Sequence, residues 1–193
     1  MPPNLITLND SEIMQYYETI SDNIPLPIVM QDIPGASLSN NLIVNLANDI
    51  EYCRYVKLEV PPTPLKIEGL LNLNPKDLII LGGASGNYYI EESLRGAKGT
   101  MPGSYIPDVF VKTYKLLNNN KWEEAYEYFN NYVPMLRYLS QGLSFSYYLS
   151  KYILCKRGIL ESNNVRPPSI QPNTQAYKEM DSFIKQLQLT NEK

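Results

Sequence analysis

Apolar positions change their spacing several times along the chain, and each change marks an element. After Asn9-Asp10-Ser11-Glu12, a helix-capping pattern, Ile13, Tyr16, Tyr17 and Ile20 recur at helical intervals, which predicts a helix from Glu12 to about Ser21. Pro25 and Pro27 close that region. Ile28-Val29-Met30 then reads as a strand running into a loop at Asp32-Ile33-Pro34-Gly35. Leu42, Ile43, Leu46 and Ala47 give a second helix over Ser39 to Asn48. The next strand is Tyr52 to Glu59, ended by Val60-Pro61-Pro62-Thr63-Pro64, since proline lacks the amide proton that a sheet uses. A third helix follows over Leu65 to Leu71. Leu78-Ile79-Ile80-Leu81 is apolar throughout, as in a parallel strand covered on both faces, and Gly82-Gly83 closes it. A helix over Tyr88 to Arg95 and a short strand at Gly99-Thr100-Met101 complete the alternation.

Strands alternating with helices at this spacing predict an α/β fold with a parallel sheet, and the right-handed crossover rule puts the strand-end loops on one side. After Pro107 the pattern is helical only. Helices are expected over Asp108 to Leu117, over Lys121 to about Gln141 with a kink at Pro134, and over Ser144 to Lys156 with Gly158 as C-cap. Val165 to Asn173 holds three prolines and reads as a linker to a last amphipathic helix, Thr174 to Leu189. The expected organisation is therefore residues 1–107 as the α/β part, 108–168 as a helical extension, and 169–193 as linker and tail helix.

Composition narrows the chemistry. Hydrophobic residues make up 44% of the 193, an ordinary globular value. A net charge of −3 offers nothing to attract nucleic acid or an anionic membrane, so neither is expected as a partner. No run of 18 apolar residues occurs, and Met1-Pro2-Pro3-Asn4 does not open a signal peptide; a cytoplasmic location is the expectation. Histidine is absent, which excludes Ser-His-Asp and Cys-His catalysis and histidine-ligated zinc. Cys53 and Cys155 are far apart and read as buried free thiols.

Among the charged residues Lys57 stands out, late in a mostly apolar strand and just before the prolines. Desolvated there, its amine would be free to attack a carbonyl; a strand-end lysine that snorkels to solvent is the competing and commoner arrangement. Gly82-Gly83 and Gly86 could bring backbone amides up to an anion at a helix start, or simply form a tight turn. Glu91, Glu92 and Lys98 read as a solvated face. The tyrosines from Tyr126 to Tyr152 read as helix packing rather than a base-stacking platform.

Four segments, in order, resemble the dihydrodipicolinate synthase / N-acetylneuraminate lyase family of class I aldolases. Pro27-Ile28-Val29-Met30-Gln31-Asp32-Ile33-Pro34-Gly35 is similar to the family's strand five, Tyr55-Val56-Lys57-Leu58-Glu59 to strand six with its imine-forming lysine, Leu78-Ile79-Ile80-Leu81-Gly82-Gly83 to strand seven, and Gly96-Ala97-Lys98-Gly99-Thr100-Met101 to the entry of strand eight. The likeness covers about residues 5–168, and Met1-Pro2-Pro3 resembles the end of strand four. It implies the C-terminal half of a TIM (β/α)8 barrel, strands five to eight, since a full barrel takes roughly 250 residues. It further implies an imine on Lys57 with a pyruvate-type or other α-keto acid, and substrate contacts from Gln31, Gly82 and Gly83. No cofactor and no metal are implied, because the iminium is the electron sink. Gln31 stands where the family has a proton-relaying tyrosine, and Ala36 where it often has arginine. Three expectations follow: a lyase fragment completed by a separate N-terminal half, an inactive remnant that binds a partner, or a homo-oligomer of half barrels.

Overall fold

The computed structural model describes residues 1–3 and 8–190; residues 4–7, within which the resemblance begins, and the last three residues of the tail lie outside it. The chain divides into two compact units, Met1–Met101 and Pro102–Lys193.

The first unit holds four parallel strands in the order β1-β2-β3-β4: β1 Ile28–Asp32, β2 Cys53–Leu58, β3 Ile79–Gly82 and β4 Gly99–Thr100. Helices α1 Asp10–Asn23, α2 Asn40–Asp49, α3 Thr63–Leu71 and α4 Tyr89–Leu94 alternate with them. The expected capping box is present: the Asn9 side chain accepts from the Glu12 amide, and Glu12 accepts from the Asn9 amide. Ser39 caps α2 through the Leu42 amide at 3.1 Å. The Asp32 region, expected as loop, extends β1 to Asp32, because the Glu59 amide donates to the Asp32 carbonyl and prolongs the sheet.

One face of this sheet carries the core. Met30, Val56, Leu58 and Ile80 lie in a single buried cluster with Leu42, Ile43 and Leu46 of α2 and Ile67 and Leu70 of α3. Each such side chain contributes about 1.5–3 kcal/mol by leaving water. Asp32 is fully buried on the same face, where its carboxylate accepts from Lys66 Nζ and from the Leu38 amide, each at 2.8 Å. This ion pair ties the end of β1 to α3.

The second unit is helical: α5 Pro107–Asn118, α6 Trp122–Asn130, α7 Val133–Leu139, α8 Leu143–Lys156 and α9 Thr174–Gln186. The single helix expected over Lys121 to Gln141 is two, with Pro134 in the first turn of α7 rather than at a kink. Proline suits that position because its missing amide proton has no partner there anyway. Part of the tyrosine stretch packs, while Tyr126 and Tyr147 are exposed: Tyr138 meets Phe145 and Phe183, and Tyr152 meets Tyr177 with centroids 4.9 Å apart. The tail helix α9 docks on α8, where the Tyr152 hydroxyl donates to Asp181 at 2.8 Å. No helix among the described residues is long and apolar enough to cross a membrane.

Candidate active site

Side chains alternate across a strand, so residue parity decides which of them meet. The register pairs Gln31 with Lys57, Lys57 with Leu81, and Leu81 with Gly99, which forms one row on the face opposite the core. The next row, Asp32, Leu58, Gly82 and Thr100, lies on the core face. Lys57 therefore projects away from the helices, and Glu59, two residues on, shares its face.

Lys57 Nζ lies 3.0 Å from Glu59 Oε2, and the two side chains are only 18% and 17% exposed. Gln31 Nε2 donates to the same oxygen at 2.9 Å, and the Ala84 amide donates to Oε1 at 2.8 Å. Burial works against the Glu59 charge, but the hydrogen bonds from Gln31, Ala84 and Lys57 outweigh it and hold the carboxyl below the usual glutamate range. The site is thus an amine and an ionised carboxylate in contact, with an amide fixing the carboxylate's orientation. Such a pair can add a nucleophile to a carbonyl and move a proton beside it; glutamine cannot move one.

The loop after β3 is shaped to hold Glu59. Ala84, Ser85 and Gly86 have φ of 47°, 58° and 77°, three left-handed residues in succession. For the two that are not glycine this costs about 1–2 kcal/mol each, and the turn aims the Ala84 amide at the carboxylate. Of the two arrangements open for the glycines, a tight turn and an anion cradle, the structure has a turn whose Ala84 amide meets the protein's own Glu59 carboxylate.

The glycine pair separates two carboxyl groups. A Cβ on Gly83 would stand 2.3 Å from Glu59 Cγ, and one on Gly82 would stand 1.7 Å from Glu92 Oε2 on the other side of the backbone. Gly83→Ala is expected to swing Glu59 off the Ala84 amide and cost about 1–3 kcal/mol, the range for a buried polar group left unpaired. Urea unfolding of the variant measures this.

Glu92 corrects an expectation. It does not belong to a solvated face but is fully buried, with the Thr63 hydroxyl donating to Oε1 at 2.5 Å and no hydrogen-bond partner for Oε2 among the described residues. Burial, only partly offset by the Thr63 bond and reinforced by the charges of Glu91 and Glu59, pushes its pKa up to about 7. Cys53 is buried as expected, whereas Cys155 is half-buried. Among the described residues no group of three or more Cys, Asp or Glu could hold a metal ion.

Of the residues singled out from the sequence, the structure brings Lys57 and Gln31 together and places Gly83 against their shared partner. Gly82 faces the core side. Glu59 and Glu92 were missed as site residues. For Glu59 a signal existed: a Lys-x-Glu spacing on a strand puts both side chains on one face.

A parallel α/β unit with a shielded lysine late in a strand is the class that these features define. The chain belongs to the dihydrodipicolinate synthetase family, whose model matches residues 1–187. L-2-keto-3-deoxyarabonate dehydratase from Azospirillum brasilense is 26% identical over 180 residues, which are 86% of this chain and 55% of that protein. 4-Hydroxy-tetrahydrodipicolinate synthase from Flavobacterium psychrophilum is 27% identical over 183 residues, 91% of this chain and 60% of its own length. The crystal structure of dihydrodipicolinate synthase from Rhodopseudomonas palustris aligns with a TM-score of 0.88 and 28% identity, over 95% of this chain and 64% of that one. The chain spans between about half and two thirds of the length of these relatives.

Proposed function

We propose that this chain carries the imine-forming side of a lyase active site for a pyruvate-type α-keto acid, with Lys57 as nucleophile and Glu59 as acid–base group. The contact between Lys57 Nζ and Glu59 Oε2, on a carboxylate already oriented by Gln31 and Ala84, is the observation that carries this reading. The Lys57 amine adds to the keto carbon, and the carbinolamine, protonated from solvent, loses water to give an iminium. Glu59 then takes a proton from the carbon next to it, and the electron pair flows to nitrogen as an enamine. The enamine electrons then return to re-form the iminium and expel a hydroxyl group from the following carbon. That hydroxyl takes the proton held by Glu59 and leaves as water; one relative is a dehydratase. The iminium itself accepts the electrons, so neither cofactor nor metal enters the scheme. Gln31 orients Glu59 and contacts the substrate carboxylate together with the Gly82-Gly83 backbone.

The first unit is the C-terminal half of a TIM barrel in this reading, and the second is its helical extension. The face turned away from the core includes Val29, which is 40% exposed, in one row with the half-covered Tyr55 and Ile79, and the half-covered Leu81 in the row of Lys57. This supports a covering partner, either a second copy or a separate chain bearing the other strands.

Reductive trapping tests the chemistry. The chain, incubated with pyruvate and sodium borohydride and digested, is expected to carry one reduced pyruvate on Lys57. An adduct on another lysine, or an unmodified Lys57, would overturn the assignment.

A further inference from the structure

Two carboxyl groups flank the Gly82-Gly83 backbone, and only Glu59 has work in the scheme above. Glu92 is fully buried on α4, one oxygen bound by Thr63 from α3 and the other without a partner among the described residues. Its Oε2 occupies the space that a side chain at position 82 would fill, while Glu59 occupies the space for one at position 83. The two acids therefore lie back to back across two residues that have no side chains.

We propose that Glu92 is a positioning residue that sets the proton affinity of Glu59, so that the protonation state of the buried acid decides how strong a base the site presents. This rests on the reading of Glu59 as the acid–base group. Among the described residues, the groups facing Glu92 include Glu59 just after β2, Thr63 from α3, the Gly82 backbone of β3, and Glu91 on its own helix. Further along the α3–α4 seam Glu68 and Arg95 pair at 3.5 Å, so that cation is engaged elsewhere.

The coupling has a definite sign. The Glu59 charge contributes to the raised pKa of Glu92, and interaction between two titrating sites is reciprocal. Below pH 7 Glu92 keeps its proton, and Glu59 is a weak base held by its donors. Above pH 7 Glu92 ionises, a second negative charge lies behind Glu59, and the proton that Glu59 takes from the substrate is held more firmly. The base therefore strengthens as pH rises through the neutral range.

The test uses the whole chain, with Glu92→Gln and Glu91→Gln as variants. Glutamine preserves the shape of Glu92 and can still accept from Thr63, and Glu91→Gln removes a neighbouring charge without touching Gly82. Carbon-13 spectra of glutamate-labelled protein are expected to show the Glu59 carboxyl shifting in step with a titration near pH 7, and to lose that step in Glu92→Gln only. Deuterium exchange into the methyl group of pyruvate, the enamine half-reaction, is expected to rise about threefold across the same range in the unaltered chain. A factor of three corresponds to about half a pKa unit. Glu92→Gln should stay on the lower plateau. A Glu59 signal indifferent to Glu92, or an equal change in Glu91→Gln, overturns the inference. Absence of exchange at every pH in all three proteins, with the carbon signals still coupled, would instead sink the imine-based function and leave the coupling standing.

Discussion

Lys57→Ala is expected to lose the trapped adduct altogether while the protein stays folded. The two halves of that result have different causes. Glu59 keeps its donors from Gln31 and Ala84 when the ammonium is removed, so no buried charge is left without partners. The lost contact is a hydrogen bond to a charged group in a largely shielded pair, and its removal costs about 1.5–3 kcal/mol. Urea unfolding resolves a loss of that size. The proposed imine chemistry has no such reserve, since no other amine is placed against Glu59 among the described residues. Intact mass after borohydride reduction with pyruvate, read beside the unfolding midpoint, checks both halves. An adduct of unchanged yield, or a variant that fails to fold, would contradict this account.

Glu59→Gln should separate the steps. Imine formation depends on the amine and on water, so the adduct on Lys57 should still accumulate. Proton abstraction depends on a carboxylate, and removing a positioned acid–base group typically slows it by about a hundred- to ten-thousandfold. Deuterium exchange into pyruvate is the measurement, and the drop should appear there without a matching drop in adduct. In the unaltered protein the depressed pKa of Glu59 keeps the base ionised through neutrality. Activity lost to its protonation should therefore appear only below the ordinary glutamate range. Equal losses in adduct and exchange would mean that Glu59 serves only to hold Lys57.

Much of this architecture was legible in the sequence because strand and helix periods are local properties. The strand bearing Lys57, the all-apolar strand before Gly82 and the capping box at Asn9 follow from neighbours within a few residues. The break between α6 and α7 was not legible, because Phe129, Val133 and Leu136 keep helical spacing across it. The site was legible to the extent that parity determines it: Lys57 and Glu59 share a face whatever the rest of the chain does. That Gln31 stands opposite them depends on the register between β1 and β2, which no local pattern encodes. Glu92 was the hardest to see. An acidic pair on a short helix reads as solvent-facing, and its burial depends on a hydroxyl 29 residues away and on a missing side chain at Gly82.

From Tyr55 to Leu58 and the residue that follows, the end of β2 carries both the core and the proposed chemistry, on alternate positions. Val56 and Leu58 face the helices, while Tyr55, Lys57 and Glu59 face the other way. Over Tyr55 to Glu59 the even positions serve folding and the odd ones the proposed reaction, so a change at an odd position leaves the core side chains in place. On this short run a different substrate is fitted by rewriting every second letter, at the cost only of the contacts that Lys57 and Glu59 make with each other and with Gln31 and Ala84.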